Sequence, residues 1–299
     1  MIKLEQVIKK FGKITAVDNI SIEVREGEIF GLVGPDGAGK TTTMRMITGI
    51  LDKTAGQILV LDRERLEEIK GHIGYVPQKF SLYGDLTVME NIRLIGALYG
   101  AARSEVDRRA EEILTFTNLV AFKDRLGDNL SGGMKQKLAL AAGLMHKPKI
   151  FFLDEPTTGV DPVSRREFWQ MLYRLNKEGM TVFVSTPYMD EAELCTRVAF
   201  MHKGRIVACD SPAGLREAYP HRVLELNTSG KELKKHLADC PIIDINAFGD
   251  KYHLVVEHPA QAIPLIKAAL EAAGMPINSL GEISPTLEDV FVALASEVA

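Results

Sequence analysis

The sequence predicts an α/β fold built on an open, mostly parallel β-sheet, followed by a small α+β domain, and three observations carry that expectation. Residues 29–33, 150–153 and 181–184 are short runs of branched and aromatic residues without alternation, the pattern of strands covered on both faces. Each is followed at once by polar sequence bearing Gly or Pro (GPDGAGKT, DEPTTG, STPYMDEAE), and ligands of such sheets collect beyond the carboxyl ends of the strands. After Pro220 the chain changes character, to short apolar segments in the order βαββαβ.

Ahead of the first run, Ile20, Ile22 and Val24 alternate with polar residues, as in a sheet with one wet face. Residues 80–147 read as helical: 88–99, 106–117 and 131–145 each show apolar spacings of three and four, with Met134, Leu138, Ala141 and Met145 on one stripe that reads as core packing. Residues 198–201 and 206–208 form a hairpin turning at Gly204. In the last part, strands at 223–226, 242–245, 252–256 and 277–283 and helices at 233–237 and 263–270 give the ferredoxin-like order. The chain closes on SPTLEDVFVAL, with Pro285 suited to a first helical position and Leu287, Val290, Phe291 and Leu294 forming an apolar face. The expected domains are 1–220, with a helical subdomain at about 80–147, and 221–299.

Composition narrows the function. With 299 residues, 46% of them hydrophobic, the chain has ample material for its core. A net charge of −4 gives no electrostatic footprint for nucleic acid. Cys195, Cys209 and Cys240 are widely spaced and form no CxxC pair, which argues against a disulfide framework and a zinc site and suits a reducing cytosol. The N-terminus lacks the apolar core of a signal peptide, and apolar stretches such as 138–145 fall short of a membrane span, so any membrane role is expected to be peripheral.

Two segments carry phosphate chemistry. Gly34, Pro35, Asp36, Gly37, Ala38, Gly39, Lys40 and Thr41 fit GxxxxGK[ST], in which backbone N–H groups close around phosphates, Lys40 reaches the outer ones and Thr41 can ligate Mg²⁺. In LSGGMKQK, Gly132 and Gly133 stand at the mouth of a helix, where free N–H groups and the positive dipole end attract anions. One nucleotide needs one such element, so the second is expected to serve a nucleotide held by another subunit. Asp154 and Glu155 directly follow a buried strand. Beside a phosphate loop, Asp154 can hold Mg²⁺ and Glu155 can polarise an attacking water.

GPDGAGKT, Gln78, LSGG and FFLDEP stand in the order and spacing of the ATP-binding-cassette ATPases, and over about 220 residues the chain resembles that family. The resemblance implies a phosphate-loop cassette with an antiparallel β subdomain and a helical subdomain, and a head-to-tail dimer sandwiching two ATP molecules. By position, Phe11 resembles the aromatic that stacks on adenine, with Val17 beside it, and Thr42 extends the phosphate loop. Gln78 resembles the glutamine that senses Mg²⁺ and water. Ser131, Gly132 and Gly133 would face the partner's γ-phosphate, and Asp161 resembles the loop residue that communicates across the dimer, although before Pro162 it reads equally as a helix cap. Pro187 stands where the family usually has a histidine that donates to the γ-phosphate, which predicts impaired hydrolysis.

Tyr83, Leu86, Thr87, Val88, Glu90, Asn91 and the LEDVF near the end resemble ATP-binding subunits of bacterial ABC-2-type multidrug exporters. That resemblance implies a protein on the inner face of the cell membrane, driving a separate ABC-2-type permease with ATP and Mg²⁺, paired with a second cassette in a homodimer or heterodimer. Two rivals stand beside it: a soluble cassette protein of translation or DNA repair, and an ATP-responsive clamp or regulator with little hydrolysis, which Pro187 favours and Glu155 opposes.

Overall fold

Alternating burial sets the first sheet. In the computed structural model, which describes residues 1–100, 103–230 and 232–297, β1 (Ile2–Phe11) pairs antiparallel with β2 (Ile14–Val24) and with β4 (Ala55–Val60) in the order β2-β1-β4. Ile2, Leu4, Val7, Ile20, Ile22 and Val24 turn inward, and the regular alternation expected for residues 20–24 is present. Along β1 it is broken by a register shift between Leu4 and Val7, with Gln6 at φ +48°, which hid that strand from a reading by period.

The second sheet has the order β5-β6-β7-β3-β8-β9, formed by β3 (Ile29–Val33), β5 (Ile73–Val76), β6 (Ile150–Asp154), β7 (Thr181–Thr186), β8 (Arg197–His202) and β9 (Arg205–Asp210). The neighbouring strands from β5 to β8 run parallel, and β9 returns antiparallel through Lys203 and Gly204, both at positive φ. All residues of β3, β6 and β7 are buried, as unalternated apolar runs require. The two sheets share one core, in which the ring of Phe183 lies 5.4 Å from that of Phe30 and 5.7 Å from that of Phe152. Helix α1 (Lys40–Ile47) follows β3, α5 (Pro162–Lys177) follows β6 and α6 (Met189–Ala192) follows β7.

Between β5 and β6 lies a helical cluster of α2 (Val88–Leu98), α3 (Arg103–Phe116) and α4 (Gly132–Gly143), with its own core of Val88, Ile92, Val106, Ala110, Leu114, Leu138, Ala141 and Met145. The expected stripe on α4 packs into that core, with Met134 at its edge. A reciprocal Thr87–Glu90 capping box starts α2. Asn91 on its first turn is fully buried and holds the turn ahead of it, accepting from Tyr83 N and donating to the carbonyls of Tyr83 and Leu86.

The chain divides into two units, Met1–Pro212 and Ala213–Ala299, with α7 (Pro212–Glu217) beginning at the boundary. In the second unit, β10 (Arg222–Asn227), α8 (Leu233–His236), β11 (Asp244–Phe248), β12 (Lys251–Val256), α9 (Pro259–Ala272) and β13 (Ser279–Ile283) follow the expected βαββαβ order and pair antiparallel as β11-β12-β10-β13. That sheet order is the ferredoxin-like one. The first helix is shorter than expected, four residues. The last, α10 (Leu287–Glu297), does not begin at Pro285: the Thr286 hydroxyl accepts from Asp289 N while the Asp289 carboxylate accepts from Thr286 N at 2.8 Å, so Thr286 is the cap and Pro285 precedes it. Among the described residues, no helix is long and apolar enough to cross a membrane.

Candidate functional site

Strand register brings the singled-out residues to one edge of the sheet. Val33 lies opposite Thr186, Ser185 opposite Asp154, and Leu153 opposite Val76, so the segments after β3, β7, β6 and β5 leave four neighbouring strands side by side. These segments carry Gly34–Thr41, Pro187, Glu155 and Gln78 respectively.

The loop before α1 is shaped by close backbone approach. A Cβ at Gly34 would lie 2.1 Å from the carbonyl oxygen of Met201, and one at Gly39, which sits at φ +108°, 2.6 Å from that of Ala16. Only glycine lets the chain lie this close to β2 and β8. Pro35, Asp36 and Gly37 are exposed, Ala38 is buried, and Thr41 and Thr42 are half-buried on the first turn of α1. No side chain caps α1, which leaves the N–H groups of its first turn for another acceptor. Lys40 reaches back under the loop: its ammonium is buried, donates to the carbonyls of Gly34 at 2.8 Å and Pro35 at 3.1 Å, and stands 3.2 Å from Glu155 Oε1. An uncapped helix start with a buried ammonium beneath it fits a polyphosphate.

Asp154 is buried and accepts at Oδ1 from Thr41 Oγ1 at 3.1 Å and from Ser185 Oγ at 2.5 Å. Burial pushes its carboxyl above the ordinary carboxylate range, against the hydrogen bonds from Ser185 and Thr41. Glu155 sits at φ +48°, a left-handed backbone that few non-glycine residues adopt, and its N–H is held by Ser185 O and Ser185 Oγ. Its Oε2 accepts from Gln78 Nε2 at 2.7 Å, joining the end of β5 to that of β6. Thr41, Asp154, Gln78 and Glu155 offer oxygen donors only, a set that fits Mg²⁺. Ser185 was missed by sequence reasoning, although a polar Ser-Thr pair ending an apolar strand was a signal.

Pro187 is half-buried just beyond β7 and has no donor to offer. The Arg165 guanidinium stacks 4.6 Å over the ring of the neighbouring Tyr188. Glu191, read from sequence only as one acid among several, is fully buried beneath this turn.

The segment expected from the sequence to be the second phosphate-binding element stands at the start of α4. Ser131 and Gly132 are exposed, and the Ser131 hydroxyl caps its own helix by accepting from Met134 N at 3.3 Å. Gly133 is buried, and a Cβ there would lie 2.5 Å from Cβ of Ser164 on α5, so this glycine serves close helix packing. Asp161 caps α5, accepting from Ser164 N at 2.9 Å, and the Ser164 side chain first, with that N–H second, holds its carboxyl below the ordinary range. Phe11 is 48% exposed with the Lys9 ammonium 4.9 Å over its ring. Val17, expected beside it, is instead wholly buried in the core of the two sheets, because β2 turns that position inward, and it offers no surface to a ligand.

Residues 17–158 match the family model of the ABC transporter, and residues 211–295 match that of the C-terminal domain of ATP-binding proteins like DrrA1-3. The chain is 44% identical over 220 residues to the probable multidrug ABC transporter ATP-binding protein YbhF of Escherichia coli, covering 72% of this chain and 38% of that protein. It thus spans well under half the length of that relative. It is 34% identical to the linearmycin resistance ATP-binding protein LnrL of Bacillus subtilis, across 98% of both chains, and 34% identical to the Nod factor export ATP-binding protein I of Cupriavidus metallidurans, across 98% of this chain and 97% of that one. Among solved structures it resembles the ATP-binding cassette MJ0796 in a dimeric post-hydrolysis state with ADP and Pi (TM-score 0.66, 30% identity, 71% of this chain, 98% of that one). It also resembles cbiO1 of Clostridium perfringens (TM-score 0.68, 26% identity, 73% of this chain, 90% of that one). A GPDGAGKT loop before an uncapped helix, paired acids at the neighbouring strand end and relatives matched along nearly their whole length make one family of it: the chain belongs to the ATP-binding subunits of ABC transporters.

Proposed function

We propose that this chain binds and hydrolyses ATP as the motor of an exporter, peripheral on the inner face of the membrane, working with a separate ABC-2-type permease and with a second cassette. The observation that carries the reading is the run of contacts from Lys40 to Glu155 to Gln78 across neighbouring strand ends, beneath a loop whose helix start is uncapped. The near full-length similarity to a resistance and an export ATP-binding protein supports the transport half.

In the mechanism, phosphate oxygens take the Lys40 ammonium over from the carbonyls of Gly34 and Pro35 and from Glu155, and the free N–H groups of α1 take the rest of the charge. Thr41 and Asp154 would hold Mg²⁺, which supplies charge neutralisation at the phosphates. Glu155, released from Lys40 and with its other oxygen fixed by Gln78, accepts a proton as water attacks the γ-phosphorus and the bond to the β-γ bridging oxygen breaks. Phe11 stacks on adenine. Ser131 and Gly132 meet the nucleotide of the partner cassette, while Gly133 seats α4 on α5 and Asp161 relays the state of that interface.

Pro187 takes one preorganised donor out of this site. Losing such a donor typically costs on the order of 10²- to 10³-fold in rate. Turnover is therefore slow, and the same residue favours a second reading, an ATP-closed clamp with negligible hydrolysis. Phosphate release by the purified wild type beside Glu155→Gln separates the two. A wild-type rate clearly above that of the variant supports the motor, and equal rates leave only the clamp.

A further inference from the structure

The loops that carry Glu155 and Pro187 are tied together by a buried acid that the proposed mechanism does not use. Glu191 lies on α6 and is 1% exposed. Its Oε1 accepts from the hydroxyl of Thr157, two residues beyond Glu155, and its Oε2 accepts from Thr186 Oγ1 at 2.6 Å, one residue before Pro187. Both threonines are themselves buried. The Thr186 hydroxyl also accepts from Tyr188 N at 3.1 Å, so its donor and an acceptor site are both committed, and the Thr186 carbonyl accepts from Gly34 N at 3.3 Å. Arg165 stands 3.6 Å from Glu191 and stacks on Tyr188, which answers the buried charge and covers the same turn. One carboxylate thus bridges the segment after β6 to the segment after β7, and through Thr186 to the first residue of the phosphate loop.

We propose that Glu191 is a positioning residue: it fixes the Glu155 loop and the Pro187 turn relative to one another, with Thr157 and Thr186 as its two points of attachment. Ser185 already ties the two strand ends through Glu155 N and Asp154; beyond them, where proline at position 187 offers no side-chain bond, this carboxylate is the further tie between the two loops. A buried carboxylate accepting from two hydroxyls holds both more firmly than neutral pairs would. The inference rests on the hydrolytic reading for its rate consequence and on the hydrogen bonds alone for its structural one, and the test keeps these apart.

Thr157→Val and Thr186→Val remove one attachment each at nearly constant volume, and Glu191→Gln keeps an acceptor and the shape while removing the charge. The first measurement is amide hydrogen exchange without nucleotide. Faster exchange confined to residues 155–159 and 186–188 is expected in both threonine variants, and unchanged exchange there overturns the proposal whatever the chain hydrolyses. The second is steady-state ATP turnover. A fall in kcat of about tenfold in each threonine variant is expected, with KM for ATP within twofold of wild type, the double variant little worse than either single one, and Glu191→Gln intermediate. Equal loss of kcat, ATP affinity and thermal stability marks a merely structural residue and overturns it too. If wild type releases no phosphate, the hydrolytic reading fails and the exchange result alone decides.

Discussion

At the scale of single residues, Asp154 ties catalysis to stability with opposite signs. Burial raises its folded pKa above the unfolded value, so between the two values the folded chain holds more protons than the unfolded one. Stability therefore falls as pH rises through that window, and above it the cost of the buried charge is fully present. Asp154→Asn, which keeps the acceptor for Thr41 and Ser185, is expected to raise the thermal midpoint without nucleotide at pH 8 by a few degrees and to flatten its fall as pH rises above the ordinary carboxylate range. The same variant loses the extra stabilisation that Mg²⁺ adds to ATP in the wild type. Thermal unfolding across pH, with and without Mg·ATP, checks both. Pro187→His restores a donor and is expected to raise kcat at saturating ATP by roughly ten- to a hundredfold, part of what one oriented donor is worth. An unchanged rate in a folded variant rules out a deficit at this position.

Which residues could be read from sequence follows from the same chemistry. Lys40, Asp154 and Glu155 were legible because each adjoins a motif or an apolar strand, and Gln78 through the family resemblance alone; the structure brings Lys40 and Gln78 onto Glu155, and Thr41 onto Asp154. Glu191 and Ser185 were not, since their burial is made by tertiary packing and nothing local distinguishes the acid of PYMDEAE from its exposed neighbours. Val17 was misplaced for a related reason: a position near an aromatic says nothing about which face of β2 it occupies.

Among elements, the contact of α4 with α5 decides how Ser131 and Gly132 are presented. Gly133 allows that contact, and Lys137 braces it with a 2.5 Å ion pair to Glu167 on α5. Gly133→Ala would put a methyl 2.5 Å from Ser164 Cβ, an overpacking that costs about 1–3 kcal/mol. The expected outcome is weakened ATP-driven dimerisation with ATP affinity of the isolated chain within twofold of wild type. Ser164→Gly in the same chain, which clears the obstructing atoms, is expected to restore dimerisation. Sedimentation with ATP analogues and nucleotide titration measure the two effects. β3, β6 and β7, the β8–β9 hairpin and the βαββαβ order were visible because their apolar patterns are uninterrupted. β1, β4 and β5 were not, because β1 is bulged, β4 opens on the exposed Ala-Gly-Gln and β5 is only four residues long.

For the whole molecule, each unit has its own core, that of the second built from Leu224, Leu226, Leu254, Val256, Ile266 and Leu270 among others. We propose that the second unit steadies the dimer, so a chain ending at Pro220 is expected to fold and to bind ATP within twofold of the full chain while dimerising more weakly. Undiminished dimerisation and full transport by that truncation contradict the role.

The central claim is that each protomer supplies the phosphate loop of one site and the Ser131 helix of the other. It is tested most directly by light scattering on Glu155→Gln with saturating Mg·ATP, alone and combined with Ser131→Arg. The expected result is a dimer that forms with ATP and dissociates with ADP, and a doubly substituted chain that binds ATP yet stays monomeric. An ATP-loaded Glu155→Gln chain that remains monomeric, or a dimer indifferent to both nucleotide and Ser131, would contradict it.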